Sequence, residues 1–280
     1  MSRDSHTITF WGVRGSIATD DPDKTHFGGN TSCVEVSAQD GSLIIFDSGT
    51  GIRSLGNRIA DEHDSEYEIN LFLSHTHWDH ILGFPFFAPI HQSFANINIY
   101  GPRRSGMSLE KLVMGLFQSP YFPLTPDDIE AHITFTELDT GSVKIGQNIT
   151  VFSNPHPHPN GALGYRLETG EQSIVFITDI EHSKDDLVRS VVELSQNADI
   201  LIHDSHFSAE DLPEHKSWGH SSWETCTALA NQAGVKQLYL FHFSPNYSDD
   251  DIYAIEKRAR EQFANTAAAH QGLSVELPAS

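Results

Sequence analysis

Cysteine is scarce in this 280-residue chain: only Cys33 and Cys226, far apart and matching no pair motif. That argues against a disulfide scaffold, without excluding a single bridge, and fits a reducing compartment, so a cytoplasmic location is expected. No apolar run is long enough to cross a bilayer, and residues 1–9 lack the basic-then-apolar pattern of a signal peptide, so no membrane role is expected. Basic residues are few: 17 against 38 acidic ones, for a net charge of −21. They are scattered, without the stripe typical of proteins that grip a nucleic-acid backbone. On that ground a long nucleic acid is not expected as a partner, and the acidity reads as a solvated surface that aids solubility. Low-complexity linkers are also missing, so a single domain over residues 1–280 is the expectation.

What the chain has in excess is histidine, 17 residues. They cluster in particular places rather than in a tract, which excludes an expression tag. Histidine is the commonest metal ligand and the usual acid or base near neutral pH. Around these clusters the pattern begins β-rich. Strands are expected over 7–11, 33–37 and 43–47, separated by glycines at 12, 15, 28, 29 and 41. A helix over 51–62 and strands over 69–73 and 97–100 follow. Between 103 and 128 lies a helix and then a proline-punctuated loop. Strands return at 133–135, 149–152 and 164–167. The last third alternates strand 173–178, helix 184–196, strand 200–202, helix 222–232, strand 237–241 and helix 249–263, an α/β pattern.

Four apolar runs end on residues suited to metal chemistry. Residues 69–73 lead into Ser74-His75-Thr76-His77-Trp78-Asp79-His80, 174–177 into Thr178-Asp179, 200–202 into His203-Asp204, and 238–241 into His242. In open α/β sheets functional residues gather beyond the carboxyl ends of strands, so these residues have a means of converging. Three imidazoles and a carboxylate within six residues suit zinc, manganese or iron. A polar helix start explains Asp79 through the helix dipole but not three histidines. In His156-Pro157-His158-Pro159 the prolines pre-orient a loop, and the residues alone leave open whether either histidine binds. Asp179 reads as a bridging carboxylate between two cations or as a cap for a helix starting near Ser183. His242, by itself, reads as a packed, hydrogen-bonded histidine before it reads as a ligand, and its case rests on the set. Asp47-Ser48-Gly49-Thr50-Gly51 lacks P-loop spacing and reads as a tight turn whose Asp47 hydrogen-bonds a ligand histidine. In Trp218-Gly219-His220-Ser221-Ser222 a serine caps the next helix, leaving His220 for a second job.

Together these motifs resemble the metallo-β-lactamase superfamily, in particular the branch containing ribonuclease Z and related phosphodiesterases. The resemblance rests on six motifs in order: H-T-H-W-D-H at 75–80, H-P-N-G-A-L-G-Y-R at 158–166, T-D at 178–179, I-H-D-S-H-F at 202–207, G-H-S-S at 219–222 and L-Y-L-F-H-F-S at 238–244. The spacing from the histidine to G-Y-R selects His158 over His156. The implied fold is a four-layer αββα sandwich of the α/β class. His75, His77 and His158 would hold one divalent ion, Asp79, His80 and His242 a second, with Asp179 shared. Zinc is the first choice, manganese or iron the alternatives.

The resemblance also implies a two-metal hydrolase, with Asp79 orienting the attacking hydroxide and His220, steadied by Asp204, protonating the leaving oxygen. The chain lacks the Gly/Pro-rich arm with which tRNA-processing members grip tRNA. W-G-V-R-G-S at 11–16 and G-G-N-T-S-C at 28–33 resemble a bacterial group of this fold instead. Those departures and the charge point to a small phosphodiester such as a cyclic nucleotide, in an enzyme whose expected assembly is a homodimer. The competing readings are a ribonuclease Z-like RNA endonuclease, a lactone, thioester or β-lactam hydrolase, and a diiron redox or oxygen-sensing module. His77 argues against the last, because redox relatives carry a carboxylate there.

Overall fold

A computed structural model describes residues 5–104, 106–170, 172–182 and 187–278. In chain order the strands are β1 (Ser5–Gly12), β2 (Cys33–Ser37), β3 (Leu43–Phe46), β4 (Tyr67–Phe72), β5 (Ala95–Pro102), β6 (His132–Leu138), β7 (Gly141–Ile145), β8 (Ile149–His156), β9 (Ala162–Glu168), β10 (Ser173–Ile177), β11 (Ile200–Asp204), β12 (Gln237–Phe241), β13 (Thr266–Ala268) and β14 (Ser274–Pro278). The helices are α1 (Ile52–Glu62), α2 (Trp78–Ile81), α3 (Leu109–Met114), α4 (Arg189–Ser195), α5 (Trp223–Ala233) and α6 (Asp249–Gln262).

Contacts gather into two compact units: residues 1–12, 30–138 and 272–280 form one, and 13–29 with 139–271 the other. The first is built on a sheet of order β14-β1-β2-β3-β4-β5-β6, the second on a sheet of order β13-β12-β11-β10-β9-β8-β7. In the first, β3 to β6 run parallel and the remaining neighbours antiparallel. In the second, β10 to β13 run parallel and β7 to β10 antiparallel.

Local pattern explains most of these elements. Strand β1 alternates, burying Ile8 and Phe10 between the half-exposed Thr7 and Thr9, as a strand with one covered face does. Strands β10 and β11 are buried at every position, which is why 174–177 and 200–202 within them read as unbroken apolar runs. Helix α1 buries Ile52, Leu55, Gly56 and Ile59, spaced to form one stripe. Helix α5 starts where Ser222 accepts a bond from Thr225 N and stops at Gly234 in the left-handed region. A reciprocal Ser248–Asp251 capping box starts α6.

Three strands were not expected: β7, β13 and β14. All lie at sheet edges, where one side of the ladder is unpaired and little apolar burial is needed, so the sequence carries only a weak signal. The helix expected after 103 is the six-residue α3, capped by Ser108. The helix expected over 184–196 is seen as α4; its proposed start, with Ser183, lies at 183–186, outside the described residues. Among the described residues no helix is long and apolar enough to cross a membrane.

Parallel strands position the chemistry, because their carboxyl ends share one edge. Asp47, just past β3, donates its backbone N–H to Phe72 O at the end of β4 (2.9 Å). In the other sheet Ile177 lies opposite His203, and Asp204 opposite Phe241. Asp179, Asp204 and His242 therefore leave neighbouring strands together.

Candidate functional site

In the first unit, the loop after β4 carries His75 and His77, and α2 carries Asp79 and His80. His77 occupies the N-cap position with extended backbone (φ −68°, ψ 155°), so the chain turns into α2 directly after it. The His75 ring lies 4.4 Å from that of His77 and 4.2 Å from that of His80, centroid to centroid. Asp79 Oδ2 is 3.2 Å from His80 Nε2.

The turn after β3 holds this loop. His80 Nδ1 donates to Asp47 Oδ2 (2.7 Å), the bond expected of Asp47. Asp47 also accepts Ser74 N at 2.8 Å and Ser32 Oγ at 2.8 Å. With Nδ1 engaged, Nε2 is the donor atom His80 offers to a cation. Gly49 lets the turn approach: a Cβ there would stand 2.3 Å from Asp79 O.

In the second unit, Asp179 lies between two of the expected histidines, Oδ1 3.6 Å from His158 Nε2 and Oδ2 3.2 Å from His242 Nε2. His158 Nδ1 donates to Gly219 O (2.9 Å), which commits that nitrogen and presents Nε2. His156 points elsewhere: it is buried, and its Nε2 donates to Thr178 O (2.9 Å). Burial pushes its pKa down to about 4, so it is neutral in ordinary buffers. Of the two loop histidines, then, the structure brings His158 to Asp179.

His220 Nδ1 donates to Asp204 Oδ2 (3.1 Å), and the same imidazole nitrogen is 3.8 Å from Asp179 Oδ1. Asp204 also accepts Ile180 N on Oδ2 (3.2 Å) and His206 N on Oδ1 (2.9 Å). Burial alone would raise this carboxyl; the His220 imidazole against it reverses the direction and holds it below the usual carboxylate range. Asp47, Asp179 and His242 all have left-handed backbone, with φ of 60°, 56° and 62°. Non-glycine residues adopt that conformation at a cost, and its recurrence at three strand ends is the local strain that marks functional sites.

Sequence reasoning missed His206. It is buried and stacks on His220 (centroids 4.1 Å apart, planes 14°), and its Nδ1 donates to His242 O (2.9 Å). Burial first, and His220 second, push its pKa down to about 3. The signal was available, since His206 falls in the same short run as Asp204. His203, by contrast, faces a buried pair. Val188 N donates to His182 Nδ1 (3.0 Å), and His182 Nε2 contacts His203 Nε2 (3.4 Å). His203 Nδ1 donates to Asp204 O (2.9 Å), and Cys226 Sγ lies 3.3 Å from that nitrogen.

The donor chemistry fits divalent cations. In the second unit the donor atoms of Asp204, His206, His220 and His242 lie within 4.8 Å of one another and are buried, but Asp204 and His220 are paired with each other and His206 Nδ1 with His242 O, so of the four only His242 is an expected ligand. In both units a histidine has one ring nitrogen bonded to a carboxylate or carbonyl and turns the other toward a carboxylate, as metal-ligating histidines do. Elemental analysis of the purified chain is expected to find bound transition metal, since oriented histidines beside carboxylates are the donors such ions take. A metal-free protein whose activity is unmoved by added zinc or manganese would sink that expectation.

Comparison with known proteins bears on the family and the fold. Residues 43–243 match the family model described as the beta-lactamase superfamily domain. Ribonuclease Z of Methanosarcina acetivorans is 28% identical, in an alignment covering 97% of this chain and 98% of that protein. Ribonuclease Z of Bacillus subtilis is 25% identical over 74% of this chain and 80% of its own length. Among solved structures, the metallo-beta-lactamase fold protein YhfI from Bacillus subtilis superposes with a TM-score of 0.74 at 21% identity, covering 98% of this chain and 100% of that one. The short form of human tRNase Z gives 0.69 at 18% identity, covering 98% and 100%. The expected metallo-β-lactamase fold is thus the observed one. The expectation of no long nucleic acid is overturned, because proteins aligned along nearly this whole chain carry the name ribonuclease Z. The error was physical: net charge sums over the whole surface, whereas a nucleic acid meets only a local field.

Proposed function

Because this chain belongs to the beta-lactamase superfamily, we propose that it is a metal-dependent phosphodiester hydrolase whose substrate is RNA. The observation that carries the hydrolase reading is the Asp204–His220 pair: a buried carboxylate fixes Nδ1 of an imidazole 3.8 Å from Asp179, a candidate metal ligand. The choice of RNA over a small phosphodiester draws on the ribonuclease Z names of the relatives.

The metal donors proposed are His75, His77, Asp79 and His80 in the first unit and His158, Asp179 and His242 in the second. Two divalent ions, zinc first, would supply Lewis acidity toward the phosphate and lower the pKa of the attacking water. The chain's own residues do the rest. Asp47 and Gly219 O fix the tautomers of His80 and His158. Asp79 orients the water. Asp204 accepts Nδ1–H of His220 and its charge favours the imidazolium, whose Nε2–H is the proton passed to the departing ribose oxygen, leaving the neutral imidazole.

The test uses the zinc-loaded chain with a labelled tRNA precursor, a nitrophenyl phosphodiester, a cyclic nucleotide and a chromogenic β-lactam. Endonucleolytic cleavage of the RNA and turnover of the nitrophenyl ester, with the lactam untouched, is the expected result. Hydrolysis of the small esters with intact RNA would overturn the substrate and keep the reaction. Lactam turnover alone would overturn both.

A further inference from the structure

Glu181 belongs to no motif described above and is only half-buried, yet it ties together the segments that carry three functional candidates. Its carboxylate accepts Ser217 N on Oε1 (3.1 Å) and Gly219 N on Oε2 (3.0 Å). Its own N–H donates to Pro157 O (3.3 Å), next to His158. It lies two residues beyond Asp179. The intervening Ile180 donates its N–H to Asp204 Oδ2 and accepts Ser221 Oγ on its carbonyl (2.6 Å). Residues 179–181 are thus a hub joined to the 157–158 loop, the 217–221 loop and β11.

The loop that Glu181 clamps is unfavourable by itself. Ser217 has φ 71° and Gly219 φ 87°, both left-handed, with the exposed Trp218 between them. A Cβ on Gly219 would stand 2.2 Å from His158 Nδ1, so the backbone passes hard against that ring. Gly219 O is the acceptor that fixes the His158 tautomer, and His220 follows directly. A carboxylate is suited to this clamp: two oxygens accept two backbone N–H groups, and charge strengthens both bonds.

We infer that Glu181 is a positioning residue, which by clamping Ser217 and Gly219 sets the orientation of both His158 and His220. This deepens the proposed function and rests on it for the catalytic consequence, though not for the clamp itself.

Glu181→Gln tests it with little change of shape. A carboxamide has one acceptor oxygen, so one of the two N–H groups would face an NH2. On the purified full-length chain, hydrogen exchange at the Ser217 and Gly219 amides should quicken by about tenfold or more, with α5 amides unchanged. With metal saturating, kcat on a phosphodiester should fall about 10–100-fold, the usual effect of losing an outer partner of a metal site, with KM nearly unchanged. Wild-type exchange at both amides, or wild-type kcat, would overturn the inference. So would faster exchange throughout α5, which would assign Glu181 to general stability. If the wild-type chain cleaves no phosphodiester, the proposed function fails, while the exchange arm still decides whether Glu181 clamps the loop.

Discussion

His158→Ala is expected to strip metal from the protein and abolish hydrolysis. His158 stands 3.6 Å from Asp179 with its far nitrogen already bonded to Gly219 O, the geometry of an oriented ligand. The loss in metal affinity should exceed the roughly 10–100-fold that removal of an outer hydrogen-bond partner costs. His156→Ala is the informative control. Sequence spacing suggests a bystander, but the buried His156 supports Thr178 O, immediately before Asp179. Truncation leaves that buried carbonyl unpaired, a cost of about 1–3 kcal/mol. The variant should therefore melt lower and still hold its metal. Melting temperature and metal content measured on both variants decide the matter; metal lost from His156→Ala and retained in His158→Ala would reverse the assignment.

His220→Ala should leave metal content intact and slow turnover of a phosphodiester with a poor leaving group by about 10²–10⁴-fold, the range of general acid–base catalysis. A nitrophenolate needs little protonation on departure, so its release should slow much less. If His220 only packs, through its stack on His206, both substrates should lose equally; a lower melting temperature is expected in either case, since buried Asp204 loses its partner. Asp204→Asn is a poorer probe. Asp204 Oδ2 serves both His220 and Ile180 N, and Oδ1 serves His206 N, so an amide placed either way meets a backbone N–H with its own NH2. Both variants should lose stability, because each breaks the buried Asp204–His220 pair, so only the leaving-group contrast in His220→Ala isolates the proton donor.

The sequence by itself determined the apolar strands and the residues that end them. Leu71-Phe72-Leu73 before His75, Phe176-Ile177 before Asp179 and Leu240-Phe241 before His242 are legible because burial imposes local composition. The serine cap ahead of α5 was legible because a cap acts within three residues, and the structure assigns it to Ser222. Edge strands β7, β13 and β14 were not, since an edge needs little apolar surface. Net charge misled about nucleic acid, since it averages over a surface whose local field composition does not specify. Motif spacing already selected His158 over His156, but only the tertiary structure tied His158 to Gly219 O, gave Asp47, Asp179 and His242 their left-handed turns, and placed His206 against His220 and Glu181 beneath Gly219. Each depends on a partner that strand adjacency supplies from far along the chain: Gly219 is 61 residues from His158, and Glu181 is 38 from Gly219. A hydrogen bond of that span leaves no periodicity in the sequence, because only the register of neighbouring strands and the loops they hold decide which groups meet.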